Sequence, residues 1–453
     1  MSRLFGTNGV RGVANKDLTI ELVTRLAASC GFLLGKNIAL GRDGRTTSPM
    51  FRDAAVSGLL SIGCNVHDFG VLPTPALQYA VKHLKLDGGL MITASHNPPE
   101  FNGVKVMAED GVELPRSVED QVEKLLFDGG PNGVKWDEVG EVSYHDALPL
   151  YVDAILSQVD TKKIKEASFK VAIDPGNGTG TLAGPIVAQR LGCQVYTVNA
   201  ELDGRFPGRD SEPRPDNLNS IRALVKATNA DVGVAFDGDA DRSIFLNEKG
   251  EVLGGDRSFA LVAADFMSKH KGARVVMSVS SSNVISDVVK AAGGTILLTR
   301  VGSVDISRAM VENGIDFGGE ESGGVMYGPH HPVRDGSMTM ALILNIMADR
   351  RLPLSKLFDD LPHYTQAKDR VDCPNELKQP VLEALRIRVA APRIETLDGL
   401  KLIFPDNSWI LVRPSGTEPI FRLYAEADNQ KKADELISKN KQLIEETVKN
   451  LSA

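Results

Sequence analysis

The chain has 453 residues, a length that predicts about three domains and allows a fourth. Hydrophobic residues make up 42% and charged residues 24%, and the formal net charge of −8 excludes a broad basic surface for nucleic acid or anionic membranes. The four cysteines are far apart, which argues against a zinc site or a disulfide framework. Because no apolar run reaches signal-peptide or membrane-span length, we expect a soluble, cytoplasmic protein.

Helical and strand patterns alternate along residues 1–149, the first predicted domain. After the glycine-rich segment FGTNGVRG, the predicted elements are a helix over 18–34, a strand over 37–40, a helix over 50–62, a strand over 65–69 and a helix over 74–83. Such alternation predicts a sheet with helices on both faces.

Two further rounds of alternation predict similar domains over 150–252 and 253–364. The second round has a strand over 170–173, the turn DPGNGTG, a helix over 181–191 and a strand over 194–198; the third has helices over 257–269 and 283–292 and strands over 274–279 and 295–298. The GNGTG segment has neither a full dinucleotide fingerprint nor a P-loop lysine, so a structural turn is favoured over a phosphate cradle.

The last segment, 365–453, has a different pattern. Its predicted elements are a helix over 376–390, a strand pair within 400–412, a strand over 420–426 and a charged amphipathic helix over 430–450. The fold class is therefore α/β, with three similar mixed-sheet α/β domains in series and a smaller α+β domain at the C-terminus.

A serine follows the end of an apolar run in Leu90-Met91-Ile92-Thr93-Ala94-Ser95-His96-Asn97-Pro98. Pro98 disfavours a helix at Asn97, so Ser95 is predicted on a loop after a buried strand, where ligands of open α/β sheets bind. A serine and a histidine alone are more typical of a capped turn.

Three carboxylates, Asp237, Asp239 and Asp241, directly follow the buried-strand pattern DVGVAF. Oxygen ligands at alternate positions of a tight loop suit Mg²⁺. Two alternatives stay open at this point: an EF-hand loop, which Arg242 opposes because glycine is needed there, and an aspartyl-phosphate hydrolase with an Asp nucleophile.

Two later loops suit a phosphorylated sugar. Gly318–Gly324 carries Glu320, Glu321 and Ser322 on a backbone that a ligand can approach closely. The segment RPSGTEP, with Arg413, Ser415, Gly416 and Thr417, and with Arg422 soon after, combines guanidinium, hydroxyl and backbone donors that suit phosphate. Either loop alone is equally typical of a solvent turn.

Lys105 follows the serine loop in Phe101-Asn102-Gly103-Val104-Lys105. The Asn-Gly pair predicts a hairpin turn that folds Lys105 back toward Ser95, where it could exchange protons with a sugar hydroxyl. The alternative is a solvated hairpin lysine.

The motifs TASHNP, DGDADR, GGEESGG and RPSGTEP occur in this order at domain-sized intervals. Together with FGTNGVRG they resemble the α-D-phosphohexomutase family, in particular archaeal-type phosphoglucosamine mutases and phosphomannomutase/phosphoglucomutases, over the whole chain. The resemblance implies a four-domain, heart-shaped enzyme with a central cleft.

The resemblance also implies residue roles. Ser95 matches the serine that carries the transferable phosphate, and Asp237, Asp239 and Asp241 match the Mg²⁺ ligands, with Ser95 completing the set. The implied catalytic surroundings are Arg11, His96 and Lys105, and the implied substrate-binding residues are Arg242, Gly302, Glu320, Ser322, Arg413, Ser415, Gly416, Thr417 and Arg422.

Two positions depart from the family pattern. Gly324 stands where many relatives have histidine, and Ser303 follows Val301-Gly302 where histidine or aspartate is common. Both lie on the side that selects the substrate, so the resemblance says less about which sugar is bound.

The implied reaction interconverts hexose 6-phosphates and hexose 1-phosphates through phosphoserine and a hexose 1,6-bisphosphate, with one Mg²⁺ per chain and glucosamine phosphate as the expected substrate. The alternative is mannose or glucose phosphate, and remoter ones are a metal-dependent sugar-phosphate phosphatase or a non-catalytic binding protein. We expect small hexose phosphates as partners, no nucleic acid or membrane, and a monomer or homodimer.

Overall fold

Four β-sheets follow one another along the chain, and each is built from one stretch of sequence. The computed structural model describes residues 4–388, 393–416 and 418–452. Four domains in series are thus confirmed, while the boundaries predicted after residues 149, 252 and 364 stay predictions.

The first sheet has six strands in the order β1-β5-β4-β2-β3-β6. Its strands are β1 (Val10–Val13), β2 (Asn37–Arg42), β3 (Asn65–Val71), β4 (Gly88–Ile92), β5 (Phe101–Ala108) and β6 (Val142–Tyr144), and its helices are α1 (Ile20–Leu34), α2 (Ser48–Ser61), α3 (Thr74–His83) and α4 (Arg116–Phe127). Thr19 caps α1 by accepting a hydrogen bond from the Leu22 N–H, which explains why this helix starts two residues later than predicted.

The second sheet has the order β11-β10-β9-β7-β8. Its strands are β7 (Lys170–Asp174), β8 (Gln194–Thr197), β9 (Val232–Phe236), β10 (Ser243–Asn247) and β11 (Val252–Leu253), and its helices are α5 (Leu148–Leu156), α6 (Thr161–Ala167), α7 (Gly184–Arg190) and α8 (Asn219–Thr228). The helix predicted over 181–191 begins only at Gly184, because a 3₁₀ turn over Thr179–Leu182 precedes it.

The third sheet has the order β13-β12-β14-β15-β16. Its strands are β12 (Arg274–Ser278), β13 (Thr295–Thr299), β14 (Phe317–Glu320), β15 (Gly324–Tyr327) and β16 (His331–Arg334), and its helices are α9 (Gly255–Lys269), α10 (Asn283–Ala291), α11 (Ser303–Asn313), α12 (Gly336–Arg350) and α13 (Leu354–Asp359). Helix α12 is buried without a break from Gly336 to Ala348, so it is a central helix rather than a surface one.

The fourth sheet is antiparallel throughout, with the order β17-β21-β20-β19-β18. Its strands are β17 (Thr365–Asp372), β18 (Arg393–Glu395), β19 (Leu400–Ile403), β20 (Trp409–Pro414) and β21 (Ile420–Ala427), and its helices are α14 (Lys378–Arg388) and α15 (Gln430–Ser452). The helix predicted over 376–390 begins with a 3₁₀ turn over Asn375–Leu377, and its last two predicted residues lie outside the described ones.

The first three sheets share one plan. In each, parallel strands precede a hairpin with an antiparallel partner: β4 with β5, β9 with β10, and β14 with β15. This repetition confirms the prediction of three similar mixed-sheet domains.

Apolar packing joins these three domains. One core runs from Ala39 in the first through Phe236 in the second to Phe358 in the third, whereas the fourth has a separate core around Phe421. The first three domains therefore form a common body on which the fourth is mounted.

Candidate active site

Three polar loops occupy the same position in the three similar sheets. The serine loop (residues 93–100) joins β4 to β5, the metal loop (237–242) joins β9 to β10, and the sugar loop (321–323) joins β14 to β15. Each therefore leaves the carboxyl end of a buried parallel strand, where α/β sheets bind ligands.

Ser95 is 1% exposed and has a left-handed backbone, with φ of +50°. Its N–H donates to Thr93 Oγ1, and its Oγ donates to Asp237 Oδ2 at 2.9 Å. A left-handed conformation is uncommon outside glycine and must be enforced by surrounding contacts. The loop thus holds a serine hydroxyl against a carboxylate of the metal loop.

Arg45 supplies most of that enforcement. This buried side chain donates to four carbonyl oxygens of the serine loop and the start of β5: those of Ser95, Asn97, Pro98 and Phe101. Its Nε pairs with Asp43 at 3.1 Å. In the sequence, the segment GRDGR has only the pattern of a turn, because the partners of Arg45 are about 50 residues away.

The three aspartates of the metal loop are buried, and one oxygen of each lies within 4.8 Å of the others. Among the described residues, Asp239 Oδ1 and Asp241 Oδ1 have no hydrogen-bond partner. Orphaned buried carboxylate oxygens are costly unless a cation binds them, and oxygen donors suit hard divalent cations. The donor set therefore fits a Mg²⁺ site. The EF-hand interpretation is wrong, because strands flank the loop where that motif requires helices.

The aspartates differ in their electrostatics. Burial, reinforced by Asp241, raises the pKa of Asp237 to about 6. Burial acts in the same direction on Asp241, but Arg334 and Lys105 outweigh it and hold the pKa of that carboxyl well below its usual range.

Lys105 reaches this cluster, but not through the predicted turn. Its Nζ donates to Asp239 Oδ2 at 2.6 Å and to Asp241 Oδ2 at 2.7 Å. The Asn-Gly turn is wrong: Asn102 and Gly103 lie within β5, and a Cβ on Gly103 would come within 2.5 Å of the Val10 carbonyl oxygen. Glycine here permits close strand packing.

The GNGTG segment supports the metal loop from behind. The Thr179 N–H donates to the Gly238 carbonyl at 3.0 Å, and a Cβ on Gly178 would lie 2.5 Å from that oxygen. Arg209 donates to the Phe236 carbonyl and to Asp174. The structural interpretation of this segment is confirmed.

Arg11, His96 and Arg242 surround the serine and metal loops. Arg11 donates to the Ala94 carbonyl and to Asn97, and burial lowers its pKa to about 10. Burial and the nearby Arg242 lower the pKa of His96 well below its usual range, so its imidazole is neutral. Arg242 Nε donates to Asp237 at 3.0 Å.

The sugar loop joins the same cluster through an arginine that the sequence analysis missed. Arg334, the last residue of β16, donates to Glu320 and to Asp241, each at 2.5 Å, while Ser322 donates to Glu320 at 2.8 Å. In the sequence, the segment HPVRDG contains no motif that indicates this role for Arg334.

Gly302 and Ser303 lie where the domains meet. Gly302 has φ of +136° at the start of α11, which favours glycine. The Ser303 hydroxyl accepts from Asn8 of the N-terminal segment at 3.0 Å, and the Val301 N–H donates to Asp398 of the fourth domain.

The phosphate loop (413–419) is separate from the cluster around Ser95 in its described contacts. Arg413 Nε donates to Asp398 at 2.6 Å, and Arg422, directly opposite on β21, donates to Glu418 at 2.5 Å. The Ser415 hydroxyl accepts from the Glu418 N–H, and the space beside Gly416 is open. Thr417 lies outside the described residues.

Comparisons with known proteins match every domain. Residues 2–132, 149–250, 254–364 and 370–442 match, in order, phosphoglucomutase/phosphomannomutase α/β/α domains I, II and III and the C-terminal domain. The chain is 42% identical to a phosphoglucomutase/phosphomannomutase of Thermococcus kodakarensis, covering 99% of this chain and 100% of the relative. The chain belongs to this family.

Two further relatives agree with that assignment. A phosphoglucosamine/phosphogalactosamine mutase of Sulfurisphaera tokodaii is 43% identical over 98% of this chain and 100% of its own. A phosphoglucomutase/phosphomannomutase family protein of Burkholderia thailandensis has a similar structure, with a TM-score of 0.88, 26% identity, and coverage of 98% of this chain and 97% of that chain.

Phosphohexomutases of this family are metal-dependent isomerases that transfer phosphate, and the buried aspartates fit that chemistry. Within the described ranges, no helix has the length and apolar character needed to cross a membrane.

Proposed function

We propose that the protein interconverts hexose 6-phosphates and hexose 1-phosphates through a phosphoserine at Ser95, with glucosamine phosphate as its main substrate. The observation that carries this proposal is the 2.9 Å contact between Ser95 Oγ and Asp237 inside a buried cluster of ionised groups. A bare serine is a poor nucleophile, whereas a phosphorylated serine is a phosphoryl donor that needs positioning and charge neutralisation.

Four basic residues around Ser95 have separate roles in the proposed reaction. Arg45 and Arg11 bind carbonyls of the serine loop and fix Ser95 in its left-handed conformation. Lys105 and Arg242 supply positive charge next to the transferred phosphoryl group. Lys105 also lies where it can move a proton to or from a sugar hydroxyl.

One Mg²⁺ held by Asp237, Asp239, Asp241 and an oxygen on Ser95 would supply Lewis-acid stabilisation of the phosphoryl oxygens. The charges of the cluster support this assignment. Carboxylates and cations alternate in it: Asp237, Asp239, Asp241 and Glu320 pair with Lys105, Arg242 and Arg334. A divalent cation and a phosphate on Ser95 carry opposite charges and therefore add little net charge to this cluster.

The substrate's own phosphate binds the phosphate loop, while the phosphoryl group on Ser95 is transferred to a free hydroxyl of the sugar. Because one loop can hold either the 1- or the 6-phosphate, the bisphosphorylated intermediate turns over and presents its second phosphate to Ser95. The separate core of the fourth domain is consistent with a mounting that lets the sugar reorient.

Steady-state kinetics with the three candidate sugars test this proposal. We expect turnover of glucosamine, mannose and glucose phosphates when a catalytic amount of the hexose 1,6-bisphosphate is present, with the highest kcat/KM for glucosamine phosphate. A higher value for mannose or glucose phosphate would reassign the substrate. Release of inorganic phosphate without isomerisation would instead identify a phosphatase.

A further inference from the structure

Arg334 joins two loops that come from different domains. Its Nη2 donates to Asp241 of the metal loop, and its Nη1 donates to Glu320, the last residue of β14 before the sugar loop, each at 2.5 Å. Arg334 is 8% exposed, so both contacts are shielded from solvent. A planar fork reaches two carboxylates at once, which the point charge of lysine does not.

Asp241 and Glu320 each pair with this buried guanidinium, one on each of its two terminal nitrogens. Breaking one side of a buried, paired charge leaves the other side unpaired, which is strongly unfavourable. The contacts of Arg334 therefore hold the metal loop and the sugar loop in fixed positions relative to each other.

Gly324 makes room for this link. A Cβ on Gly324 would lie 2.4 Å from Arg334 Cδ and 2.9 Å from Cγ. The arginine is held at its far end, so these central atoms cannot move away easily. A side chain at position 324 is therefore incompatible with the observed conformation of Arg334. With glycine at this position, Arg334 can reach Glu320 from β16.

The contact with Arg334 fixes one carboxylate oxygen of Glu320 and leaves the other oxygen available. Arg334 and Ser322 both donate to Glu320 Oε1, whereas Oε2 accepts no hydrogen bond from any described residue. A carboxylate oriented in this way presents Oε2 as an acceptor for hydroxyl donors. We propose that Arg334 is a positioning residue that orients Glu320 toward the sugar hydroxyls and ties that orientation to the metal loop.

The inference rests on the proposed function, because it assumes that the sugar binds at Glu320. It is tested by binding rather than turnover, in the full-length Ser95→Ala protein, which cannot transfer phosphate through that serine. Isothermal titration with glucosamine 6-phosphate, mannose 6-phosphate and inorganic phosphate would be compared for Arg334→Lys, Glu320→Gln and the double variant.

We expect Arg334→Lys to weaken sugar-phosphate binding on the order of 10- to 100-fold, the loss for a hydrogen bond to a charged group, and to leave inorganic phosphate binding unchanged. The double variant should bind the sugar phosphates as the weaker single variant does, because Arg334 acts through Glu320. Arg308→Lys is the matched control, since Arg308 makes a bidentate pair with Asp110 and has no described hydrogen bond to either loop.

Gly324→Ala gives a second route to the same result without removing a charge, because the added Cβ displaces Arg334 and also lies 3.3 Å from Glu320 Cγ. It should reproduce the selective loss of sugar-phosphate binding, and it decides the matter if Arg334→Lys fails to fold. Equal loss of sugar-phosphate and inorganic phosphate binding, additive effects in the double variant, or no effect would overturn the inference. A parent protein that binds inorganic phosphate but no hexose phosphate would overturn the proposed function itself.

Discussion

Two arginines lie directly opposite each other on β20 and β21, and among the described residues each has its own counter-ion: Arg413 pairs with Asp398, and Arg422 pairs with Glu418. Like charges directly opposite in a sheet repel. An anion bound between them relieves that repulsion, which supports a phosphate site at this position.

Arg413→Ala should raise KM for the sugar phosphate on the order of 10- to 150-fold, because a charge-assisted contact is lost. Some loss of kcat should accompany it, since binding at this loop also orients the sugar against Ser95. Arg413→Lys should restore only part of the affinity. Steady-state kinetics of both variants, with Arg393→Ala as a control for an exposed ion pair in the same domain, measure this. An unchanged KM in both variants would show that the loop is only a turn.

Replacing Asp239 by Asn should abolish most activity by weakening metal binding, because the orphaned Oδ1 becomes a neutral ligand. Chelation should remove the activity of the unaltered protein, and Mg²⁺ should restore it. Full activity in excess chelator would contradict the metal assignment.

The residues that the sequence predicted best are those whose signal is local. Ser95 and the three aspartates lie in loops that follow buried strands, so their place at a sheet edge could be predicted. Arg45 and Arg334 act on partners far away in sequence, the Ser95 carbonyl and Asp241, and a single arginine carries no pattern that indicates such a partner.

At the scale of elements, the metal loop depends on the 3₁₀ turn and glycine-rich segment behind it. Gly178 touches the Gly238 carbonyl, and Gly238 in turn lies so close to the serine loop that a Cβ would be 2.5 Å from the Ser95 carbonyl oxygen. The glycine-rich segment, the metal loop and the serine loop are therefore stacked so closely that positions 178 and 238 have no room for a side chain.

Gly178→Ala should destabilise the fold by about 1–3 kcal/mol, the usual cost of overpacking, and weaken Mg²⁺ binding. Thermal unfolding and titration calorimetry with Mg²⁺ measure the two effects. Gly133→Ala is the control, because its Cβ would meet only the Ser61 carbonyl at 3.4 Å. Unaltered Mg²⁺ affinity in Gly178→Ala would show that the segment does not position the metal loop.

The helices and strands that were predicted end within a few residues of the observed ones. The central helix α12 was not predicted, and the turn predicted at the Asn-Gly pair was wrong, because this pair lies in β5. The same dipeptide serves a tight turn or a close strand crossing, and only the position of Val10 on the neighbouring strand decides between them.

At the scale of the whole molecule, polar contacts and one small apolar cluster join the fourth domain to the third. In that cluster, Trp409 and Leu411 pack with Val279. Gln366 bridges Asp256 and Glu426, Glu426 accepts from the Asn283 N–H, and Lys401 donates to the Val279 carbonyl. Three sheets of one plan could be predicted from repeated alternation, but the common core of three domains and the separate fourth core could not, because packing between domains leaves no periodic signal.

This interface should make stability depend on pH. Burial, reinforced by Glu321, raises the pKa of Asp256 to about 7. Between about pH 4 and pH 7 the folded protein keeps a proton that the unfolded chain loses, so the free energy of unfolding falls as the pH rises.

Asp256→Asn removes that titration and should flatten the pH dependence. At pH 8 it should be more stable than the unaltered protein by about 1–4 kcal/mol, since each pKa unit corresponds to about 1.4 kcal/mol. Denaturant unfolding at several pH values measures this, with the exposed Asp153→Asn as a control. An equally steep pH dependence in Asp256→Asn would contradict the assignment.

Mass spectrometry of the intact protein and its peptides tests the proposed phosphoserine at Ser95 most directly. After incubation with hexose 1,6-bisphosphate and Mg²⁺, we expect a gain of about 80 Da that maps to Ser95, the mass of one phosphate ester. Addition of excess hexose monophosphate should remove it, and Ser95→Ala should neither gain the mass nor turn over. Phosphate mapped to another residue, or full turnover by Ser95→Ala, would contradict the account.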